Sequence, residues 1–171
     1  TPVSPYGCSK LYAHSLCNNY RNAYNMFICS GILFNHESPR RGINFVTNKV
    51  VLEAVKIKLG FSNELILGNL EAKRDWGHAK DYVEGMWRML QQEKPDDYVL
   101  ATGISKSVKD LVEYVFGKLE LDYTKYVKCD DKFQRAEELH FLQGDASKAR
   151  ERLSWKTSYT FETMLDEMIA Y

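Results

Sequence analysis

Met26-Phe27-Ile28-Cys29-Ser30-Gly31-Ile32-Leu33-Phe34 runs straight into Asn35-His36-Glu37-Ser38-Pro39-Arg40-Arg41-Gly42-Ile43-Asn44. The first part is apolar and reads as a buried strand. The second holds two adjacent guanidiniums, two carboxamides, an imidazole and a carboxylate, and reads as a loop at the strand's carboxyl end. Open α/β folds bind their ligands at that end of the strands. Paired arginines offer rigid forks of donors that match phosphate and carboxylate oxygens. The stretch therefore predicts an α/β fold with an anionic ligand held beside this strand. The plainer reading is a solvated polar loop.

Outward from this stretch, helical and strand patterns alternate. Ser4-Pro5 supplies an N-cap and a first-turn proline, so a helix is predicted from Tyr6 to Tyr24, turning Leu11, Leu16, Tyr20 and Ala23 or Tyr24 to the core. Val46, Val50, Val51, Ala54 and Ile57 recur at helical spacing, with Gly60 as the stop. Leu65-Ile66-Leu67-Gly68 reads as a strand, and Lys73-Arg74-Asp75-Trp76 leads into a helix from Ala79 to Gln92 ended by Pro95. Tyr98 to Ala101 is a further strand. Ser107 and Asp110 form a capping box for a helix carrying Leu111, Val112, Val115 and Leu119. Lys128 to Arg135 is polar and reads as loop. Asp145 and Thr160 are placed to cap two last helices, to Leu153 and Tyr171.

The 171 residues suffice for one cored domain, with 23 basic against 23 acidic side chains. A zero net charge argues against binding nucleic acid by counterion release. No long apolar span or signal pattern occurs, so neither membrane nor export is expected and a cytoplasmic chain is the default. Cys8, Cys17, Cys29 and Cys129 form no C-x-x-C pair, which fits reduced thiols rather than zinc or disulfides, with Cys29 buried. The 10 glycines are scattered and make no G-x-G-x-x-G turn, so this segment alone is not expected to hold a dinucleotide. The opening Thr1-Pro2-Val3-Ser4-Pro5 lacks methionine and reads as a loop inside a larger protein.

Tyr6 and Lys10 are four apart and share one helix face. An ammonium beside a phenol favours the phenolate, and such a phenol exchanges protons with a substrate hydroxyl near neutral pH. Spacing alone proves little, because 11 tyrosines give about one chance match. Tyr114 and Lys118 are a second match, but Tyr114 sits among Leu111, Val112 and Val115 and reads as a packing residue. Tyr6 stands at a capped helix start beside Gly7, with room for a ligand. His78 is equally readable as a structural histidine, and Asp75 as half of a local ion pair with Arg74.

Ser4-Pro5-Tyr6-Gly7-Cys8-Ser9-Lys10 resembles the S-P-Y-G-x-S-K segment of the extended short-chain dehydrogenases/reductases. Within them, the Gly31–Gly42 and Leu67–Tyr82 stretches, with Phe141-Leu142-Gln143-Gly144-Asp145 and Trp155, resemble the GDP-mannose 4,6-dehydratases. The resemblance implies the C-terminal half of such a fold: a catalytic helix and strand over residues 1–34, then a mainly GDP-sugar-binding region over 35–171 with segments returning to the Rossmann-type sheet. It implies a lyase that uses NADP to turn GDP-mannose into GDP-4-keto-6-deoxy-mannose, toward GDP-fucose. Tyr6 and Lys10 take the catalytic roles and, with His36 and Arg41, contact the cofactor. Asn35, Asn44, Lys49, Arg74, Arg135 and Glu138 face the GDP-sugar. The implied partners are the missing N-terminal Rossmann half and further copies in a homodimer or homotetramer, and the isolated chain is expected to be inactive. Where that family has R-P-x-E, this chain has Arg135-Ala136-Glu137-Glu138 after a shortened lead. Two alternatives are another sugar-nucleotide epimerase or reductase and a non-catalytic sugar-nucleotide-binding module.

Overall fold

The computed structural model describes residues 2, 4–130, 132 and 141–171. Its first helix, α1 (Pro5–Tyr24), starts where the cap signal places it, with the Ser4 side chain accepting from the Gly7 amide at 3.0 Å, and Asn25 closes it in the left-handed region. The expected inward face is not realised. None of the α1 residues is buried, and Leu11, Leu16, Tyr20 and Tyr24 are all exposed. Periodicity reveals which stripe is apolar, not which element covers it. Arg21 anchors the helix, donating to the Ile28 carbonyl at 2.7 Å and pairing with Asp97.

The extended stretch after α1 is two short strands rather than one long one. Gly31–Leu33 (β1) pairs in parallel with Tyr98–Leu100 (β5), and the Phe34 amide adds one more bond to the Leu100 carbonyl at 3.0 Å. The chain then changes partner. Asn35–Glu37 (β2), expected as loop, pairs in parallel with the Trp76–His78 end of β4 (Lys73–His78). Met26 and Phe27 are outside any ladder and exposed, Ile32 is exposed, and Cys29 is half-buried with its thiol toward the Met89 carbonyl, so the buried strand expected here is only partly inside. Among the described residues, the other edge of β1 carries no ladder.

Three further strands escaped the sequence pattern or were only partly foreseen. β4 pairs antiparallel with Ser105–Ser107 (β6), while Leu65–Leu67 (β3) lies parallel to Val127–Cys129 (β7), where a loop was expected. Helices α2 (Val46–Lys58), α3 (Ala79–Met89), α4 (Val108–Lys118), α5 (Ser147–Leu153) and α6 (Phe161–Ala170) follow the expected periodicities, with capping boxes on α4 and α6. Two clusters form the core. One joins α2, α4, α6, β3 and Trp76; the other joins Tyr82 and Met89 of α3 to β5, α5 and Trp155.

Asp75 joins the sheets. Its fully buried carboxylate accepts from the Thr102 amide and hydroxyl (2.9 and 2.6 Å), the Gly103 amide (2.9 Å) and the Gly144 amide (3.1 Å). It thereby ties β4 to the turn after β5 and to the lead of α5, and it is not the Arg74 ion pair that the sequence allowed. Gly103 has φ +80, which suits a residue without a side chain in that turn. Replacing Asp75 by Ala leaves three inward amides without an acceptor, each costing about 1–3 kcal/mol. A loss of about 3 kcal/mol or more in urea unfolding is expected; a change below about 1 kcal/mol contradicts the tie.

His78 is structural, as one of its two sequence readings held. It is buried at the N-cap of α3, its Nδ1 accepting from the Lys80 amide at 3.1 Å, its ring stacked on Tyr159 at 3.9 Å and its Nε2 3.0 Å from Glu167. Burial pushes the imidazole below its ordinary 6.5, against the opposing pull of Glu167. A lowered folded value places the stabilising contribution above the unfolded value and removes it as pH falls. The urea midpoint is expected to drop between about pH 7 and pH 5 and to drop less in His78→Asn, which can still cap α3. Identical pH profiles for the two proteins contradict this.

Candidate functional site

Helical spacing puts Tyr6, Lys10, His14 and Cys17 along one flank of α1. That flank faces the stretch from Cys29 to His36, and between them opens a cleft of about 1010 Å³. Arg41 and Phe45, which follow in the chain, also line it. The cleft lies where the chain leaves β5 and takes up β4.

Three of the polar side chains in the cleft, Lys10, His36 and Arg41, lie against neighbouring groups. The Lys10 ammonium stands 5.4 Å from the centroid of the Tyr6 ring, so the pair predicted from spacing is together in space. His36 Nδ1 donates to the Phe34 carbonyl at 2.9 Å, which leaves Nε2 as the imidazole's available nitrogen. The His36 ring also rests 5.2 Å from the ring of Tyr82, whose buried hydroxyl has no partner among the described residues and whose pKa burial drives upward. Two turns fold the loop back, with the Arg41 amide on the Ser38 carbonyl (2.9 Å) and the Phe45 amide on the Gly42 carbonyl (3.1 Å). They separate the two arginines that were expected to act as a pair. Arg40 is exposed and outside the cleft, while Arg41 lines it, stacked 3.3 Å above the Phe45 ring.

The remaining sequence-derived candidates divide. Asn35 lines the cleft. Asn44 is exposed and does not. Lys49 donates to the Ile66 carbonyl at 2.6 Å, beneath a second hollow of about 390 Å³ bounded by Ile66, Lys128, Cys129 and Asp130. Arg74 turns one guanidinium nitrogen to the Lys73 carbonyl at 2.8 Å and lines neither hollow. Arg135 and Glu138 lie outside the described residues. His14, Cys17, Cys29 and Phe45 were not picked from sequence; the 6–10–14–17 spacing was the signal for two of them.

No carboxylate lines the cleft among the described residues, whereas Lys10 and Arg41 do. Two cations, Lys10 and Arg41, together with Ile32, Leu33 and Phe34 in the same lining, suit a ligand with anionic groups and a flat ring. No group of three or more His, Cys, Asp or Glu among the described residues is placed to hold a metal.

The family model for "GDP-mannose 4,6 dehydratase" matches residues 1–168. The chain belongs to the GDP-mannose 4,6-dehydratase family. It is 54% identical over 168 residues to GDP-mannose 4,6 dehydratase 2 of Arabidopsis thaliana, covering 98% of this chain and 45% of the relative. Against the Homo sapiens GDP-mannose 4,6 dehydratase it is 49% identical over 185 residues, covering 98% of this chain and 50% of that one. The chain thus spans about half the length of the curated relatives it matches. Among solved structures, RMD from Pseudomonas aeruginosa complexed with NADPH superposes with a TM-score of 0.91 at 22% identity, covering 99% of this chain and 56% of that one. The dTDP-glucose 4,6-dehydratase of Bacillus anthracis, in complex with NAD, gives 0.86 at 21% identity, covering 99% and 52%. These likenesses are of fold: α/β with mainly parallel strand pairing.

Proposed function

We propose that the protein carrying this family segment is an NADP-dependent lyase that converts GDP-mannose to GDP-4-keto-6-deoxy-mannose. The observation that carries this reading is the Lys10 ammonium over the Tyr6 ring at the edge of a cleft that also holds Asn35, His36 and Arg41. Membership of a dehydratase family, and NADPH and NAD complexes among its structural neighbours, support the substrate and the cofactor class.

The residues present fit a nicotinamide dinucleotide. Lys10 and Arg41 supply positive charge for its ribose hydroxyls and phosphates, the free His36 nitrogen accepts or donates, and the apolar floor accommodates a ring. Bound there, the cofactor supplies a hydride acceptor that later returns the hydride. Tyr6 takes the proton of the sugar's C4 hydroxyl as C4 is oxidised, and Lys10 stabilises the negative charge on the phenol oxygen. The resulting ketone acidifies the neighbouring C5–H, and loss of that proton with the C6 hydroxyl expels water. Asn35, Asn44, Lys49, Arg74, Arg135 and Glu138 bind the GDP-sugar in this reading, the cations at the diphosphate and the amides and carboxylate at sugar and base edges.

The bare flank of α1, the edge of β1 left unpaired among the described residues and the half-length match together support a further Rossmann segment completing the cleft. Residues 1–34 then belong with that segment and 35–171 mainly with the sugar-nucleotide region. The isolated chain lacks part of the cleft's walls and is inactive in this reading. Cytoplasmic location and a homodimer or homotetramer complete it; among the described residues no helix is long and apolar enough to cross a membrane.

In the full-length protein, GDP-mannose with NADP is expected to give the 4-keto product, and UDP- or dTDP-hexoses are not. Tyr6→Phe is expected to lower kcat by about 10²-fold or more with substrate affinity kept within a few-fold. Affinity and rate falling together would favour a binding module instead, and turnover of another nucleotide sugar a different enzyme of this fold.

A further inference from the structure

Glu37 is a carboxylate with an unexpected address. It sits on β2, one residue past His36, and is 1% exposed, so a charge is held where charge is costly. Its Oε2 accepts from the Thr47 hydroxyl at 2.6 Å and stands 3.0 Å from Arg41 Nε, at ion-pair distance. Thr47 is itself fully buried in the first turn of α2, whose inner face (Val50, Val51, Ala54) is core. A continuous chain of contact therefore runs from the core through α2, Thr47 and Glu37 to Arg41, which lines the cleft.

We propose that Glu37, backed by Thr47, is a positioning residue that aims the Arg41 guanidinium into the cleft, toward the anionic part of a dinucleotide cofactor. This rests on the reading of the cleft given above. The contact uses Nε, the inner nitrogen of the fork. Among the described residues neither terminal nitrogen of Arg41 has a partner, so the outer edge stays available for a bidentate anion contact. Phe45 supports one face of the guanidinium at 3.3 Å and Asn48 holds the Arg41 carbonyl, so side chain and backbone are both fixed. Without the carboxylate, a long arginine pays rotamer entropy each time it meets a ligand.

Stability alone does not account for Glu37. Burial raises its pKa, while Thr47, Arg41 and the neighbouring His36 pull the other way. The charged form is thus costly to the fold, and a glutamine of the same shape avoids that cost. A group retained for positioning gives a distinctive result: its neutral isostere keeps or raises Tm yet weakens the ligand.

The test measures NADPH affinity and Tm of the full-length protein as wild type, Glu37→Gln, Arg41→Ala and the double variant. The expected result is about tenfold weaker NADPH binding in Glu37→Gln at equal or higher Tm, the loss falling on cofactor KM more than on kcat. The double variant is expected to bind no more weakly than Arg41→Ala, because both changes remove one interaction. Thr47→Val, which loosens the carboxylate without removing it, is expected to weaken NADPH about threefold, and it serves if Glu37→Gln fails to fold. Wild-type affinity in Glu37→Gln with a weakened Arg41→Ala overturns the positioning role and leaves the cleft assignment standing. Wild-type affinity in Arg41→Ala overturns both. A lowered Tm with additive losses makes Glu37 a structural ion pair and overturns the proposal.

Discussion

The fold turns on one buried carboxylate. Between Gly31 and Glu37 the chain abandons one strand partner for another, and such a change leaves two sheets that share a single crossing strand. Nothing in the ladders themselves fixes the angle between them. Asp75 does so, because it lies on β4 in one sheet and accepts hydrogen bonds from residues that follow β5 in the other. The bonds are charge-assisted and inward, where competing water is absent, so they are stronger than the same contacts at a surface. Gly144 completes the knot and brings the lead of α5 against Ala101 and Phe34 so closely that a Cβ there would collide with both.

The site follows from that crossing. Asn35 and His36 line the cleft as the first residues of β2, just past the point where the chain leaves β5 for β4, and the imidazole is fixed by the carbonyl of Phe34. Arg41 comes to the same place by a different route, through two turns and a carboxylate anchored on α2. Tyr6 and Lys10 arrive on a helix that is otherwise bare, so the cleft has one wall whose other side is open. Three unrelated pieces of chain thus converge on one volume, and no one of them makes a binding site alone.

The helices and several of their caps were legible in the sequence because their signals are local, although α5 is preceded by Ala146 rather than capped by Asp145 and α3 stops at Met89 rather than Gln92. Ser4-Pro5, Ser107 with Asp110, and Thr160 each satisfy amides within their own turn. Strands β4, β6 and β7 were missed or half-read because three to six residues show no alternation, and Lys73-Arg74-Asp75 looks like surface until the knot explains the aspartate. The α1 face was misassigned since an amphipathic pattern states what must be covered and not by what. Tyr6 and Lys10, picked from their spacing and chemistry, and Asn35, His36 and Arg41, given their roles by the family resemblance, line one cleft, whereas Asn44, Lys49 and Arg74 do not. Glu37 was read only as one polar group of the loop, although it stands four residues before Arg41, because its second partner, Thr47, lies across a loop that only the folded chain closes.

Amide hydrogen exchange on the full-length protein, with and without NADPH, tests the central claim most directly: that the cleft between α1 and the crossing strand receives the cofactor. Added protection concentrated in residues 6–17 and 29–45 is the result this account predicts. Protection confined to the hollow around Ile66 and Lys128, with the α1 flank and the crossing strand unchanged, would contradict it.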